Sequence, residues 1–186
     1  MQDDNLRPQQ IQSLTWAVPP WAACFISPVF AAAQIRGTIG GVKSSEFMRA
    51  LPDAVRPKLN KRLRDFETAS RAWLTQFYYD DPRVHYEVWN LGPRRGRLEI
   101  GLHLESRDRE LNARLLDEMF SHLFEIKAEL GPSFEAEPWD KGWTKVYETI
   151  PLEPFSTEYL ERVAARTAQV MGVLEPIRRT LSGGRR

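Results

Sequence analysis

The stretch from Arg83 to Trp143 constrains the fold most, because its apolar residues recur at every second position, then at helical spacing, and then at every second position again. Residues 98–105 alternate apolar and polar side chains, which is typical of a strand with one buried face. The run GPRRG at 92–96 favours a turn, and the alternating residues from Val84 to Val88 supply a partner strand. The stretch therefore begins with a predicted β-hairpin.

A helix and a second hairpin are predicted after the first hairpin. The helix spans residues 107–130, between a cap at Ser106 or Asp108 and the terminating pair Gly131-Pro132. Its apolar residues follow gaps of three and four and form one stripe: Leu111, Leu115, Leu116, Met119, Phe120, Leu123, Ile126 and Leu130. Residues 134–137 and 144–152 then alternate again, and Ser156 caps a closing helix over 156–181.

These segments predict an α+β fold in the order ββαββα, with an antiparallel sheet of about four strands from two β-hairpins and helices on one face. Residues 53–79 carry apolar side chains at helical spacing and are predicted to form a long amphipathic helix ahead of the sheet. A single α+β domain over 44–181 is expected, followed by a disordered tail at 182–186. The length of 186 residues suits one domain.

Residues 1–36 are predicted to be an apolar N-terminal appendage, joined to the domain by a glycine-rich linker at 37–43. Residues 14–33 are nominally long enough to span a bilayer. Interior prolines cost a helix about 3 kcal/mol each, and this run contains Pro19, Pro20 and Pro28. Three interpretations stay open: a segment packed on the domain or a partner, a membrane anchor, or residues upstream of the true domain. In each, the domain itself is predicted to be cytoplasmic.

Several classes of chemistry lack their signatures in this chain. The formal net charge of +1 gives no general attraction to nucleic acid or to a membrane. The single cysteine, Cys24, excludes an intramolecular disulfide framework and a multi-thiolate zinc site. Neither a nucleophile elbow nor a phosphate-binding loop is present. No cofactor is predicted.

Basic residues concentrate in the predicted 53–79 helix and in the turn of the first hairpin. Between Lys43 and Thr75, eight basic residues face four acidic ones. Clustered lysine and arginine bind nucleic acid through phosphate contacts and counterion release, although a solvated helix face would show the same pattern. The candidate phosphate-contacting residues are Arg56, Lys58, Lys61, Arg62, Arg64, Arg94, Arg95 and Arg97.

A second candidate site lies on the polar side of the first hairpin. Its predicted register pairs Val84 with Leu102, Tyr86 with Ile100 and Val88 with Leu98. The opposite face then carries His85, Glu87, Trp89, Glu99, His103 and Glu105. Histidine and carboxylate side chains on one face can bind a metal ion or transfer protons. Strand alternation alone also gives a polar outer face, in which the opposed Glu87 and Glu99 would be solvated.

Residues 98–181 resemble an uncharacterised prokaryotic domain that occurs alone or C-terminal to restriction-type nuclease domains. The segments that carry the resemblance are LEIGLHLE, LNARLLDEMFSHLFEIKAELG, FEAEPW and VMGVLEPIRRTL. The resemblance implies a role beside nucleic-acid or defence enzymes, and it transfers no catalytic residue to this chain.

Three functional hypotheses follow from these patterns. The first is a non-catalytic interaction or accessory module that binds nucleic acid or a nucleoprotein partner through the basic helix face, with a nuclease or methylase among the expected partners. The second is a small hydrolase or metal-dependent enzyme that uses His85, Glu87, Glu99 and His103. The third is a structural homodimer through the apolar stripe of residues 160–181, which equally suits packing within the same domain.

Overall fold

A computed structural model describes residues 42–182, in which one antiparallel sheet carries helices on one face. The described strands are β1 (Glu67–Ser70), β2 (Leu74–Tyr78), β3 (Val84–Asn90), β4 (Arg97–Leu104), β5 (Glu135–Pro138) and β6 (Thr144–Pro151). The described α-helices are α1 (Ser44–Val55), α2 (Arg109–Ser121), α3 (Leu123–Leu130) and α4 (Thr157–Ser182). The strand order is β1-β2-β3-β4-β6-β5. The predicted appendage at 1–36, most of the linker and residues 183–186 lie outside the described residues.

The prediction of a long helix over residues 53–79 is wrong. Helix α1 ends at Val55, two short 3-10 turns follow at Arg56–Lys58 and Lys61–Leu63, and the chain then forms the β1–β2 hairpin. The helical spacing arose from side chains that are buried in separate turns and strands, namely Leu59, Leu63, Phe66 and Phe77. The extra hairpin raises the sheet from the predicted four strands to six.

Helix α1 continues through Pro52, although the residue before a proline, here Leu51, is a usual place for a helix to end. A proline inside a helix leaves the carbonyl four residues earlier without its N–H donor. For Pro52 that carbonyl belongs to Met48, and it accepts a hydrogen bond of 2.6 Å from the buried hydroxyl of Thr75 on β2. The strand therefore replaces the donor that the proline lacks.

The first hairpin is confirmed as β3 and β4, but its register differs from the predicted one by two residues. Val84 faces Leu104, Tyr86 faces Leu102 and Val88 faces Ile100. A shift by an even number of residues leaves every side chain on its predicted face, because side chains alternate with a period of two. The apolar face of the sheet is therefore the predicted one, and its buried residues include Tyr86, Val88, Leu98, Ile100 and Leu102.

The helices cover this apolar face. The predicted helix over 107–130 is divided at His122 into α2 and α3, and Asp108 caps its start by accepting a hydrogen bond from Leu111 N. The second hairpin is confirmed as β5 and β6, and the closing helix as α4. The hydroxyl of Tyr86 donates to the buried carboxylate of Glu175 on α4, at 2.9 Å. This contact ties the last helix to the middle of the sheet.

The apolar stripe of α4 packs within the chain itself. Val163, Val170 and Leu174 are buried in the same core as the apolar face of the sheet. Homodimerisation through residues 160–181 stays a prediction. None of the helices within residues 42–182 combines the length and the hydropathy that crossing a bilayer requires.

Candidate metal centre

The second face of the sheet carries the predicted histidine and glutamate residues. His85 and Glu87 lie on β3, and Glu99 and His103 lie on β4. The interpretation that places them in solvent is wrong, because their exposed fractions are 1% for His85, 5% for Glu87, 3% for Glu99 and 0% for His103. Buried ionisable groups are costly unless they are paired with one another or coordinate a metal ion.

The register explains why these side chains meet. His85 faces His103 directly across the two strands, and their imidazole rings stack with centroids 5.6 Å apart. One nitrogen or oxygen atom from each of His85, Glu87 and His103 lies within 4.8 Å of the other two. The predicted opposition of Glu87 and Glu99 is wrong, because Glu87 faces Gly101.

His85 is held in one tautomer by its neighbours. Its Nδ1 lies 2.8 Å from the carbonyl oxygen of Pro82, which can only accept, so Nδ1 carries a proton. The side-chain amide nitrogen of Gln76 donates to His85 Nε2 at 3.1 Å, so the lone pair of the ring lies on Nε2. A backbone carbonyl bound to the remote ring nitrogen is how proteins orient a metal-binding histidine.

The carboxylate of Glu87 is kept ionised next to this lone pair. One of its oxygens lies 3.5 Å from His85 Nε2 and accepts a hydrogen bond of 2.9 Å from Gln76. Burial raises the pKa of Glu87, but the positive charge of His103 and the hydrogen bond from Gln76 act in the opposite direction, and the pKa lies below its usual value. A deprotonated carboxylate and a free imidazole lone pair are the forms that bind metal ions.

Carboxylates surround His103. Its Nε2 lies 3.1 Å from an oxygen of Glu99, and its Nδ1 lies 3.5 Å from an oxygen of Glu105. That Nδ1 is buried without a hydrogen-bond partner among the described residues. Burial lowers the pKa of His103, but its interactions with Glu105 and Glu99 outweigh burial and raise the pKa to about 9. The ring therefore holds a proton at neutral pH when no other cation is bound.

Lys145 on β6 completes the cluster, and the sequence interpretation did not include it. It faces His103 in the register, and its ammonium nitrogen lies 3.1 Å from Glu99 and 3.6 Å from Glu137. The signal that places it there is the alternation of β6, whose odd-numbered residues share the polar face of the sheet. Gln76 was also missed, because the sequence assigns its segment to a helix.

A glycine makes room for the aromatic side of the cluster. Gly101 lies between Glu99 and His103 on β4, and a Cβ atom there would lie 2.5 Å from the Cβ of Tyr147. The ammonium of Lys145 lies 3.7 Å from the centre of the Tyr147 ring. Trp139 meets the ring of His103 edge-on, with centroids 5.4 Å apart. Aromatic rings thus border the charged groups and strengthen electrostatic interactions among them by excluding water.

The ligand set fits a divalent transition-metal ion. Zn²⁺ binds nitrogen and oxygen ligands at about 2.0–2.2 Å, which separates tetrahedral ligand atoms by about 3.4 Å. His85 Nε2 and Glu87 Oε2 are already 3.5 Å apart. The whole set spans 4.8 Å, so side-chain shifts of about 1 Å would close it around an ion. Glu99, beside His103, lies at the border of the set and is not one of its three ligand groups.

The basic residues predicted to contact phosphate do not form one helix face, because residues 56–64 form turns. Arg56 donates to the carbonyl oxygen of Arg64 and lies 4.0 Å from the centre of the Phe66 ring. Arg64 donates to the carbonyl oxygen of Leu59 at 2.8 Å. Lys58 pairs with Glu161 at 2.5 Å. Arg56 and Arg64 therefore stabilise the turns over residues 56–64, and Lys58 links these turns to α4.

The remaining basic candidates lie at two ends of the sheet. Arg97 donates to the hydroxyl of Thr149. Lys61 and Arg62 are exposed in the second 3-10 turn. This turn lies near the end of β2, because the hydroxyl of Tyr79, the residue after β2, donates to the carbonyl oxygen of Leu63. Arg94 and Arg95 are exposed in the β3–β4 turn, which lies at the start of β2. The structure thus does not bring the eight predicted residues together.

No family model, curated protein or solved structure matches the chain. The resemblance of residues 98–181 to the uncharacterised prokaryotic domain stays a prediction, as do a nuclease or methylase partner and a cytoplasmic location. The chemistry of the polar sheet face and of the sheet ends is therefore the basis for a functional proposal.

Proposed function

We propose that the chain is a metal-binding protein in which His85, Glu87 and His103 hold a divalent transition-metal ion such as Zn²⁺. The observation that carries the proposal is the convergence of three buried ligand groups within 4.8 Å on adjacent strands. Two imidazoles and one carboxylate form a ligand set typical of zinc and non-haem iron sites.

Two details of the cluster support metal binding over a purely structural network. His85 already has the hydrogen bond to a backbone carbonyl that orients a ligand, as described above. The Nδ1 atom of His103 is buried and makes no hydrogen bond within residues 42–182, and its nearest carboxylate oxygen, from Glu105, lies 3.5 Å away. A closed polar network satisfies such atoms, because an unsatisfied buried polar atom costs about 1–3 kcal/mol.

The ligand set supports hydrolytic chemistry in particular. Three protein ligands leave a coordination position for water or substrate, as catalytic zinc sites do and structural ones do not. When bound, the ion would lower the pKa of a coordinated water to about 7. Glu99 lies next to the three ligand groups, between His103 and Lys145. Its carboxylate could accept a proton from the coordinated water. The proposed class is therefore a metal-dependent hydrolase.

Calorimetric titration of the chelator-treated full-length protein with Zn²⁺ tests the proposal, and Co²⁺ absorption reports the ligand geometry. We expect one ion per chain. Removal of an outer-shell partner costs a metal site about 10–100-fold in affinity, so His85→Ala and His103→Ala should weaken binding by at least that factor. Far-UV circular dichroism establishes that each variant is folded.

The matched control is His122→Ala. His122 lies between α2 and α3 with an exposed ring and does not contact the cluster. Its variant should bind Zn²⁺ with the affinity of the unmodified protein. Equal loss of binding in His122→Ala and His85→Ala would reject the proposed ligands, and so would the absence of any binding by the folded wild-type protein.

A further inference from the structure

The end of the sheet where β1 meets β2 and β3 meets β4 forms one continuous surface. The backbone N–H of Asn90 donates to the carbonyl oxygen of Trp73 at 2.8 Å, which joins the two hairpin tips. The hydroxyl of Ser44 donates to the carbonyl oxygen of Ala72 at 2.7 Å and accepts from the Asn90 side chain at 3.3 Å. The first turn of α1 is thereby fixed to both tips.

Exposed basic side chains surround this junction. They come from the start of α1 and from the two tips, and they are Lys43, Arg49, Arg71, Arg94 and Arg95. The side chains of Arg71, Arg94 and Arg95 form no ion pair or hydrogen bond with any residue in 42–182. The carboxylate of Glu46, the acid nearest in sequence to Lys43, accepts from the Lys43 backbone N–H. The surface therefore keeps a net positive charge even when Glu46 is counted, although the whole chain is nearly neutral.

A cleft and an exposed aromatic ring lie within the same surface. The cleft has a volume of about 240 Å³ and is lined by Ser45, Arg49, Ser70, Arg71 and Ala72. Hydroxyl and guanidinium groups are the side-chain donors that bind phosphate oxygens. Trp73 follows directly in sequence and is 53% exposed. An exposed tryptophan beside arginine offers a face on which a nucleic-acid base can stack.

We propose that this hairpin-tip surface, formed by Lys43, Arg49, Arg71, Trp73, Arg94 and Arg95, binds single-stranded nucleic acid. The cations contact the backbone phosphates, and Trp73 stacks on one unpaired base. In a duplex the base faces are covered by their neighbours, so stacking on Trp73 requires an unpaired strand. Phosphate contacts and stacking on one ring do not distinguish among bases, so binding is expected to be independent of sequence.

The composition of the surface favours nucleic acid over an anionic membrane. A membrane-binding surface buries several apolar side chains in the headgroup region, whereas the hairpin-tip surface exposes one large ring, that of Trp73. The other large apolar side chains exposed among residues 42–182 are Phe120 and Phe124, which belong to α2 and α3. Four of the five cations are arginines, whose planar guanidinium group matches phosphate geometry better than an ammonium group does.

Fluorescence anisotropy with labelled 15-nucleotide dT and U strands tests the proposal on the full-length protein. Both strands should bind, and a duplex of equal length should bind more weakly. Each phosphate contact contributes about −0.7 to the slope of log affinity against log salt for single strands. Arg94→Ala combined with Arg95→Ala should therefore make the slope less steep by about 1.4.

Lys61→Ala combined with Arg62→Ala is the matched control. It removes the same charge from the opposite end of β2 and should leave the slope unchanged. Trp73→Ala should weaken strand binding about tenfold, and Trp73→Tyr, which keeps a stacking ring, should restore most of it. His85→Ala should bind the strands normally, which separates this surface from the metal centre.

Three results would overturn the proposal. The first is an equal loss of binding in the control pair and in the Arg94 and Arg95 pair, which would indicate attraction by net charge alone. The second is binding that does not change in Trp73→Ala, with inorganic polyphosphate binding as tightly as the strands. The third is binding to vesicles containing phosphatidylserine without binding to either strand.

Discussion

The hydroxyl of Thr75 on β2 donates a hydrogen bond of 2.6 Å to the carbonyl oxygen of Met48 on α1. Pro52, four residues after Met48, has no N–H with which to fill that acceptor. One strand residue thus compensates for a proline in the neighbouring helix, which explains why α1 continues past Pro52.

The Thr75→Val variant should lose stability, because valine keeps the shape of threonine but leaves the Met48 carbonyl with only the long 3.5 Å contact from the Ser70 hydroxyl. The expected decrease in the free energy of unfolding is about 1–3 kcal/mol, measured by urea denaturation. Thr68→Val, at an exposed site on β1, is the control and should change the value by at most about 0.5 kcal/mol. Equal stability of the two variants would contradict this account of Pro52.

The Gly101→Ala variant should also lose stability, but through a steric clash. The new Cβ would lie 2.5 Å from both the Cβ of Tyr147 and the carbonyl oxygen of Val146, so the strands must move apart. We expect a loss of about 1–3 kcal/mol by urea denaturation. Gly172→Ala is the matched control, because no atom lies within 4 Å of its added Cβ. Gly172→Ala should increase the free energy of unfolding by up to about 1 kcal/mol, because alanine favours the helical conformation more than glycine does. A decrease in this control would contradict the steric explanation.

Stability should fall in acid partly because of Glu175. Burial raises the pKa of this carboxyl, but Arg178 and Arg179 outweigh burial and lower the pKa below its usual value. A lowered folded-state pKa gives stability that is present above the unfolded value of about 4.3 and is lost as the pH falls through the folded value. In urea titrations from pH 7 to pH 3, the wild-type protein should lose more stability than Glu175→Gln. Parallel pH profiles would exclude this role of Glu175.

The Lys145→Met variant should separate the charge network from the metal centre. Without the ammonium group, the buried carboxylate of Glu99 keeps only His103 as a cationic partner. Because breaking a buried pair outright costs about 3–5 kcal/mol, we expect a loss of stability below that range. The same change removes a positive charge beside the proposed ion. Zn²⁺ should therefore bind more tightly to Lys145→Met than to the wild-type protein, and it should raise the melting temperature of the variant by more. Weaker Zn²⁺ binding by the folded variant would contradict the prediction that Lys145 opposes the ion through its positive charge.

The sequence predicts the centre of the sheet well because local signals agree there. Gly92 and Gly96 adopt positive φ in the β3–β4 turn, and the alternation of β4 assigns each side chain to its face. The segment 53–79 fails because helical spacing also results when side chains from turns and a short strand enter one core. Trp73 shows the difference, since it lies within the predicted 53–79 helix as one of its apolar residues but is 53% exposed.

The candidate site could be predicted only in part from the sequence. Alternation places His85, Glu87, Glu99 and His103 on one face, which the structure confirms. Their burial and the pairing of His85 with His103 depend on the register and on strands that are distant in the sequence. Lys145, which pairs with Glu99 across β4 and β6, is 46 residues away from it along the chain. No local pattern contains a relationship of that kind.

The two margins of the sheet differ from its middle in a way that bears on solubility at high concentration. The marginal strands β1 and β5 have four residues each, whereas β4 and β6 have eight. Glutamates lie along both margins, and Pro138 ends β5 without an N–H to donate. Short, charged margins offer a foreign strand little backbone to bind, so the sheet is protected from growing into intermolecular fibres.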